Sequence, residues 1–384
     1  MTKEDLSLQR WSGVDVYTNA IESNMRHLVE RCAPSSVWAV VKANGYGHGA
    51  ITVSRAAAAG GASGLAVALV QEAVELRDAG IGSRILVLSD QPHEQYEALL
   101  AANAEVMVYQ SESIDALGAA AQQRGLTARV HLKIDTGMRR VGAEPSSAES
   151  LMARIHQHPH LQLVGVATHF ATADIPGHAG IAQQSDEFAS VTSLVKPETE
   201  IHMANSAAAL SVPDSRHTYV RAGIALYGID PSTEVTLDRD VFSSALRWWA
   251  RVSYVKVVEA GEHVSYGWRH QTAQRTRLAT IPVGYADGVP RRWSEVGGVV
   301  LIGGRRRPVV GVVTMDQLVV DLGPKDENDP IDIGDEVVLI GRQGNEQLAV
   351  EEWAERLGTI GYEIVCQISG RVPRRAVGLP TEQS

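Results

Sequence analysis

Residues 37–49 read VWAVVKANGYGHG. Five apolar, mostly β-branched residues run up to Lys42, and the chain then turns abruptly to Ala, Asn and Gly. A run that is apolar on both faces suits a strand buried in a parallel sheet. The glycines Gly45, Gly47 and Gly49 mark the turn that ends it. Strand and turn together make the first half of a β/α unit, and the same beat recurs downstream. The expected strands are Val37–Ala43, Leu65–Val70, Ile85–Leu88, Glu105–Tyr109, Arg129–Asp135, Leu163–Phe170, Glu200–Ala204 and Val220–Ala225. Most intervals hold an amphipathic stretch that ends at Gly, as in QEAVELRDAG and SIDALGAAAQQRG. Eight consecutive units without a Gly-rich dinucleotide fingerprint predict a closed (β/α)8 TIM-like barrel over an open doubly wound sheet.

Near Asp230 the beat changes, and DPSTEVTLDRD reads as a connection. From Arg247 the runs RVSYVKVV, RLATIPV, GVVLI, RPVVGVVT, QLVVDLG and DEVVLIG alternate with Gly, Pro and Asp turns. The expected organisation is an α/β barrel domain over residues 1–238 and a mostly β C-terminal domain over 239–384. The latter is interrupted by one helix, Val350–Leu357, and finishes with a strand around Glu363–Ile368. At about 150 residues per domain, two domains suit 384 residues.

The formal net charge of −10 argues against a nucleic-acid partner. Hydrophobic residues at 44% and charged residues at 21% exclude disordered and fibrous classes. The longest apolar runs, such as Gly64–Val70, are too short to span a membrane, and MTKEDLSLQR has no apolar signal core, so a cytoplasmic location is expected. Only Cys32 and Cys366 occur, which excludes a disulfide framework and a cysteine zinc site, and no metal is expected.

Lysine is rare, with six among 35 basic residues. Two of the six, Lys42 and Lys133, lie in runs that read as buried strands. A buried ammonium is costly, whereas lysine readily shifts its pKa and forms Schiff bases. In a barrel the working residues lie at the C-terminal ends of the strands, and here those positions are polar: Lys42, the DTGMRRVG segment, His169, Asn205, Ser206, Arg221 and Gly223. An amine, several cations and small-residue turns suit an anionic ligand with a phosphate and a carbonyl. Plainer readings stay open at this point. Lys42 pairs with a barrel carboxylate, His48 and His169 are hydrogen-bonded core histidines, Arg139 and Arg140 form a surface pair, and Tyr266, Tyr285 and Tyr362 pack at a domain boundary.

The segment AVVKANGYGHG resembles the cofactor-attachment signature of the alanine racemases, barrel-type enzymes that use pyridoxal 5'-phosphate (PLP). LKIDTGMRRVG, THFATAD, the NSAA around Asn205, RAGIALYG, VSYG, PVGYADG, TMDQ and IGYEI resemble family motifs in the same order, over essentially the full chain. The resemblance implies interconversion of L- and D-alanine, which supplies D-alanine for peptidoglycan, by a homodimer with shared active sites. Lys42 would hold PLP as a Schiff base and act as one base, with Tyr266 from the neighbouring subunit as the other. His169 would contact that tyrosine, and Arg221 would donate to the pyridine nitrogen. Tyr46, Asn205, Ser206, Gly223, Ile224 and Tyr362 would hold the cofactor, with Arg140 on its phenolic oxygen. Arg140 and the Met315 backbone would take the substrate carboxylate, and Tyr285 with Tyr362 would narrow the mouth. Lys133 resembles a lysine carbamylated in many members.

Two opposite-facing bases suit racemisation, because one rigidly held base reaches only one face of a Cα. The arginine is informative too. It cannot accept a proton, so the ring nitrogen stays neutral, in contrast to the carboxylate that most PLP enzymes place there. The chain departs from the family pattern at Val312, where many members carry arginine, and at Arg139, where a small or polar residue is commoner. Other readings are a racemase for another amino acid, a PLP-binding protein without turnover, and a lysine Schiff-base lyase without PLP.

Overall fold

A computed structural model describes residues 9–378. It divides into two compact units, one of residues Asn19–Ser243 and one of the segment up to Thr18 with Ser244 onward. The sequence reading places the first segment with the barrel. The structure pairs its strand β1 (Ser12–Tyr17) with strands that lie more than 200 residues downstream, so the barrel is a continuous insertion in the other unit.

In the barrel unit, eight parallel strands follow one another: β2 (Ser36–Val40), β3 (Gly64–Val67), β4 (Ile85–Val87), β5 (Glu105–Val108), β6 (Ala128–Lys133), β7 (Leu161–Ala167), β8 (Glu200–His202) and β9 (Tyr219–Ala222). Each pairs with the next from β2 to β8, and β9 returns to pair with β2. Between β8 and β9 the ring closes through Thr218 N–H to Ile201 O at 3.0 Å and Arg221 N–H to Ala204 O at 3.0 Å. The strands are short because they only bridge the barrel wall, and their residues are almost all buried, as parallel strands covered by helices must be. Trp38, Leu86, Met107, Ala167 and Tyr219 cluster in the core. Trp38 stacks on Tyr219 with centroids 4.7 Å apart, and His202 stacks on the same tyrosine at 4.3 Å.

At the N-terminal ends of the strands sits a charged knot. Arg84 donates to Glu105 at 2.7 Å and to Glu200 at 2.6 Å, and its guanidinium lies 4.8 Å from the Trp38 ring. Arg129 reaches Glu105 at 3.1 Å.

The second unit is mostly β. Its main sheet runs in the order β11 (Tyr254–Val258), β14 (Thr276–Ile281), β17 (Leu318–Gly323), β16 (Arg305–Val310), β15 (Val299–Ile302), β18 (Glu336–Gln343), β10 (Leu246–Arg251), β1 and β20 (Arg374–Val377), with β19 (Glu346–Leu348) paired to β18. The short strands β12 (His263–Val264) and β13 (His270–Gln271) form a separate pair. Helix Val350–Leu357 lies where the sequence places it and buries Val350, Trp353, Ala354 and Leu357, one stripe at helical spacing. The expected final strand is corrected: residues Gly361–Gln367 form a helix that buries Ile364 and Val365. A short apolar run does not by itself separate strand from helix. Among the described residues no helix is long and apolar enough to cross a membrane.

Candidate active site

The barrel places its polar groups where the strands end. After β2 the chain enters Lys42, which is half-buried, and then five consecutive residues adopt left-handed backbone: Ala43 (φ 52°), Asn44 (53°), Gly45 (60°), Tyr46 (50°) and Gly47 (79°). Left-handed conformation costs about 1–2 kcal/mol for each non-glycine residue, so other contacts must hold this turn. The Glu72 carboxylate accepts the N–H groups of Ala43 (2.6 Å), Ala68 (2.8 Å) and Leu69 (3.1 Å), and the Asn44 side chain accepts Ala50 N–H at 3.0 Å. The Tyr46 ring stacks on Tyr227 at 5.0 Å. The turn thus presents the Lys42 amine from a fixed backbone.

Tyr46 meets the end of β9. A Cβ on Gly223 would stand 2.6 Å from the Tyr46 hydroxyl, so only glycine leaves this space open. Ser206 Oγ, buried, accepts Gly223 N–H at 2.8 Å and Ala225 N–H at 3.4 Å. Asn205 caps the helix Ser206–Ser211 by accepting Ala208 N–H at 3.0 Å, which aims Ser206 inward, and Ile224 is fully buried.

Cations dominate the other side. Lys133, the last residue of β6, is 6% exposed. Burial, followed by the charges of Arg221, Arg140 and Lys42, pulls its amine down to about 7 against a partial offset from Asp135. Lys133, Asp135, Arg140, Thr168 and His169 line a hollow. Arg140 itself is exposed on the loop after β6, and Arg139 beside it pairs with Glu144 at 3.4 Å. The Asp135 carboxylate accepts Gly137 N–H (2.9 Å) and Arg139 N–H (3.0 Å), which fixes that loop.

Arg221 is buried, and desolvation lowers its pKa to about 10, still charged at neutral pH. Its partners are all uncharged acceptors. NH1 donates to His202 Nδ1 at 2.6 Å, and NH2 lies against Thr168 O (2.9 Å), Met203 O (3.1 Å) and His169 Nδ1 (3.2 Å). Nε takes no part in these contacts. Burial, and then the neighbouring cations led by Arg221, hold His169 well below the usual imidazole range, so it is neutral. With Nδ1 facing an obligate donor, its proton sits on Nε2. The buried Gln184 side chain fastens this strand end by donating to His169 O (3.0 Å) and Thr136 Oγ1 (3.2 Å).

In the second unit, Tyr266 is 72% exposed on a strained turn. Ser265 has φ 63° and ψ −171°, Gly267 φ 70° and Trp268 φ 51°. Ser265 Oγ donates to Val312 O at 2.7 Å, and Trp268 stacks on His263 at 4.8 Å. The structure brings Tyr285 and Met315 together: Tyr285 N–H donates to Thr314 O and Ala286 N–H to Met315 O, each at 3.0 Å. Buried Asp287 braces this turn by accepting Gly284 N–H at 2.9 Å and pairing with Arg10 at 2.7 Å. Tyr362 is half-buried in the helix Gly361–Gln367.

Sequence reasoning missed Glu72, Gln184 and His202. His202 ends β8 in register with Ala167, the last residue of β7, and a histidine at a barrel strand end is a signal that could have been used. Glu72 and Gln184 read as ordinary polar helix residues. The donor set fits PLP on three counts: a primary amine on a fixed turn for the aldehyde, a cradle at Gly223 that a Cβ would fill, and a buried guanidinium with Nε outside its protein contacts.

Comparison with known proteins agrees with this geometry. Residues 16–231 match the family model for the alanine racemase N-terminal domain, and residues 245–376 that for the alanine racemase C-terminal domain. The chain is 46% identical over 369 residues to an alanine racemase of Symbiobacterium thermophilum, covering 95% of this chain and 96% of the relative. An alanine racemase from D-cycloserine-producing Streptomyces lavendulae superposes with a TM-score of 0.91 at 39% identity, over 97% of this chain and 98% of that one. A histidine racemase from Leuconostoc mesenteroides gives 0.89 at 28% identity, over 96% and 99%. With a family model matching each of its two parts and 46% identity over 95% of its length to an alanine racemase, the chain belongs to the alanine racemase family of isomerases.

Proposed function

We propose that this chain interconverts L-alanine and D-alanine with PLP, as a cytoplasmic homodimer, and so supplies D-alanine for peptidoglycan. The observation that carries the reading is Arg221, a buried guanidinium with uncharged acceptors at the barrel end, beside Lys42, Lys133 and Arg140. When bound, the cofactor supplies an electron sink that acidifies the Cα–H of an attached amino acid.

The protein's part is to place, orient and exchange protons. Lys42 anchors the aldehyde. Tyr46, Ser206, Tyr362 and the backbone at Gly223 and Ile224 would hold the phosphate end, with Asn205 beside them on the cofactor. Arg221 would donate to the ring nitrogen and cannot itself take up a proton, which would keep the sink moderate and favour return of the proton over side reactions. Arg140 and the Met315 backbone receive the substrate carboxylate, and Tyr285 with Tyr362 restricts the mouth to small side chains. Lys42 serves one face of Cα, and Tyr266 of the partner subunit serves the other. A phenol titrates near about 10, so that tyrosine needs a donor to hold its oxygen as an anion, and the Nε2–H of His169 is suited to the task. Neutral Lys133 is the form that adds CO2, its nitrogen bonding carbon as a proton is released to solvent; the resulting carbamate would offset the neighbouring cations.

A chiral assay tests the reading. Purified protein with PLP should convert L-alanine to the racemate, borohydride reduction should leave a pyridoxyl group on Lys42, and Lys42→Ala should lose both. Optically unchanged L-alanine, or an adduct on another lysine, overturns it. The likeness to a histidine racemase favours a second reading, a racemase for another amino acid. Relative kcat/KM on alanine, serine, lysine and histidine separates the two, since a pocket distinguishes one methylene by only about 1–3 kcal/mol.

A further inference from the structure

Arg221 is the near end of a buried hydrogen-bonded chain that runs through the barrel to the charged knot at its opposite end. NH1 meets His202 Nδ1 at 2.6 Å, His202 Nε2 meets His131 Nδ1 at 3.0 Å, and His131 Nε2 meets Glu105 Oε2 at 2.8 Å. All three of these further residues are fully buried. The two ends dictate the direction. A guanidinium only donates and a carboxylate only accepts. His202 Nδ1 must therefore carry a lone pair, which puts its proton on Nε2, and His131 Nδ1 must accept that proton's bond. His131 in turn holds its own proton on Nε2 and donates it to Glu105. Doubly protonated His131 is excluded, because its Nδ1–H would face the Nε2–H of His202.

Glu105 is suited to terminate the chain. Burial alone would raise its pKa, and hydrogen bonds from His131 and Arg84 overturn this and bring it to about 2. The atoms of Glu105, His131 and Glu200 lie close enough together to hold a metal ion, but Arg84, Arg129 and His202 already engage them.

Charged clusters at this end of a barrel ordinarily serve stability. We infer that Glu105 and His131 are also positioning residues for Arg221: they impose one hydrogen-bond direction on the imidazole pair, so that His202 always offers a lone pair to the guanidinium that faces the cofactor. This rests on the proposed function only in naming the cofactor as what Arg221 faces. Replacing Glu105 by Gln reverses the direction. The amide oxygen turns to Arg84 and Arg129, its NH2 donates to His131 Nε2, both imidazoles shift their protons to Nδ1, and His202 then confronts Arg221 with an N–H.

The test is ring-15N histidine NMR of the full protein, with and without added PLP. Wild type should show His131 and His202 neutral and protonated on Nε2. Glu105→Gln should move the His202 proton to Nδ1, shift the absorption band of bound PLP, and lower kcat by about ten- to a hundred-fold with KM little changed. Glu105→Asp, which keeps an acceptor, should keep the wild-type tautomers. A wild-type His202 protonated on Nδ1 overturns the inference without any variant having to fold. So does a folded Glu105→Gln whose tautomers and PLP band are unchanged. Failure of PLP to attach would instead remove the functional reading, and the tautomers would still decide this one.

Discussion

At the scale of single residues, two lysines share one barrel end and differ in their surroundings. Lys42 is half-buried at the start of a turn, whereas Lys133 is buried among cations and titrates near about 7. For a base whose folded pKa lies below its unfolded value, the unfolded chain binds more protons, so stability rises with pH between the two values. The penalty for burying Lys133 is therefore complete below pH 7 and fades as pH rises toward 10.5. Thermal unfolding of the PLP-free protein in CO2-free buffer should show a midpoint that climbs over this window, and Lys133→Met should flatten the climb. An equal slope in the variant would contradict the burial argument. Residues such as Lys42, His169 and Arg221 were legible because strand runs with polar ends point to a barrel's working face. Glu105 was not, since a carboxylate that opens a strand carries no sign of the imidazole it meets from β6, or of the second imidazole that this one meets from β8.

Among the elements, the turn after β2 is the most constrained. Three non-glycine residues would not be expected to sit together in left-handed backbone, and here Ala43, Asn44 and Tyr46 do so with Gly45 between them. Its glycines were visible in the sequence, and they announced a turn without specifying this one. The fastening comes from Glu72, a helix residue whose carboxylate serves three backbone N–H groups. Glu72→Ala should cost roughly 1–3 kcal/mol in urea unfolding and weaken PLP attachment, because the amine would lose its fixed mount. Unchanged PLP affinity in a destabilised variant would show that the turn holds itself. Periodicity placed all eight barrel strands to within a few residues, because continuous apolar runs punctuated by Gly are unambiguous when they repeat. It failed at Gly361–Gln367, where seven residues of mixed character fit either period, and at β1, whose alternating SGVDVY finds both its neighbours beyond the barrel, more than 200 residues downstream.

For the whole molecule, the proposed function requires two copies. Tyr266 and Trp268 expose 72% and 70% of their surfaces in the single subunit, which is large for aromatic side chains on an ordered turn. If Tyr266 works in the partner's site, the rate per subunit must fall as dilution separates the dimer. Activity measured alongside sedimentation over a concentration series should show the two declining together. A rate per subunit that stays constant after proven dissociation would place both bases in one chain. The repeated strand runs gave the barrel, and the change of period near Asp230 marked where they stop, but the register of one copy against another depends on surfaces that no local pattern encodes.

The position of β1 between β10 and β20 also sets an order of events on the ribosome. Residues 12–17 are made before the barrel, yet their antiparallel neighbour follows only after the last barrel strand, and their parallel neighbour, residues 374–377, follows later still. The barrel can thus be finished while the strand that precedes it still waits for its neighbours, and the main sheet of the second unit is completed only once β20 has been made.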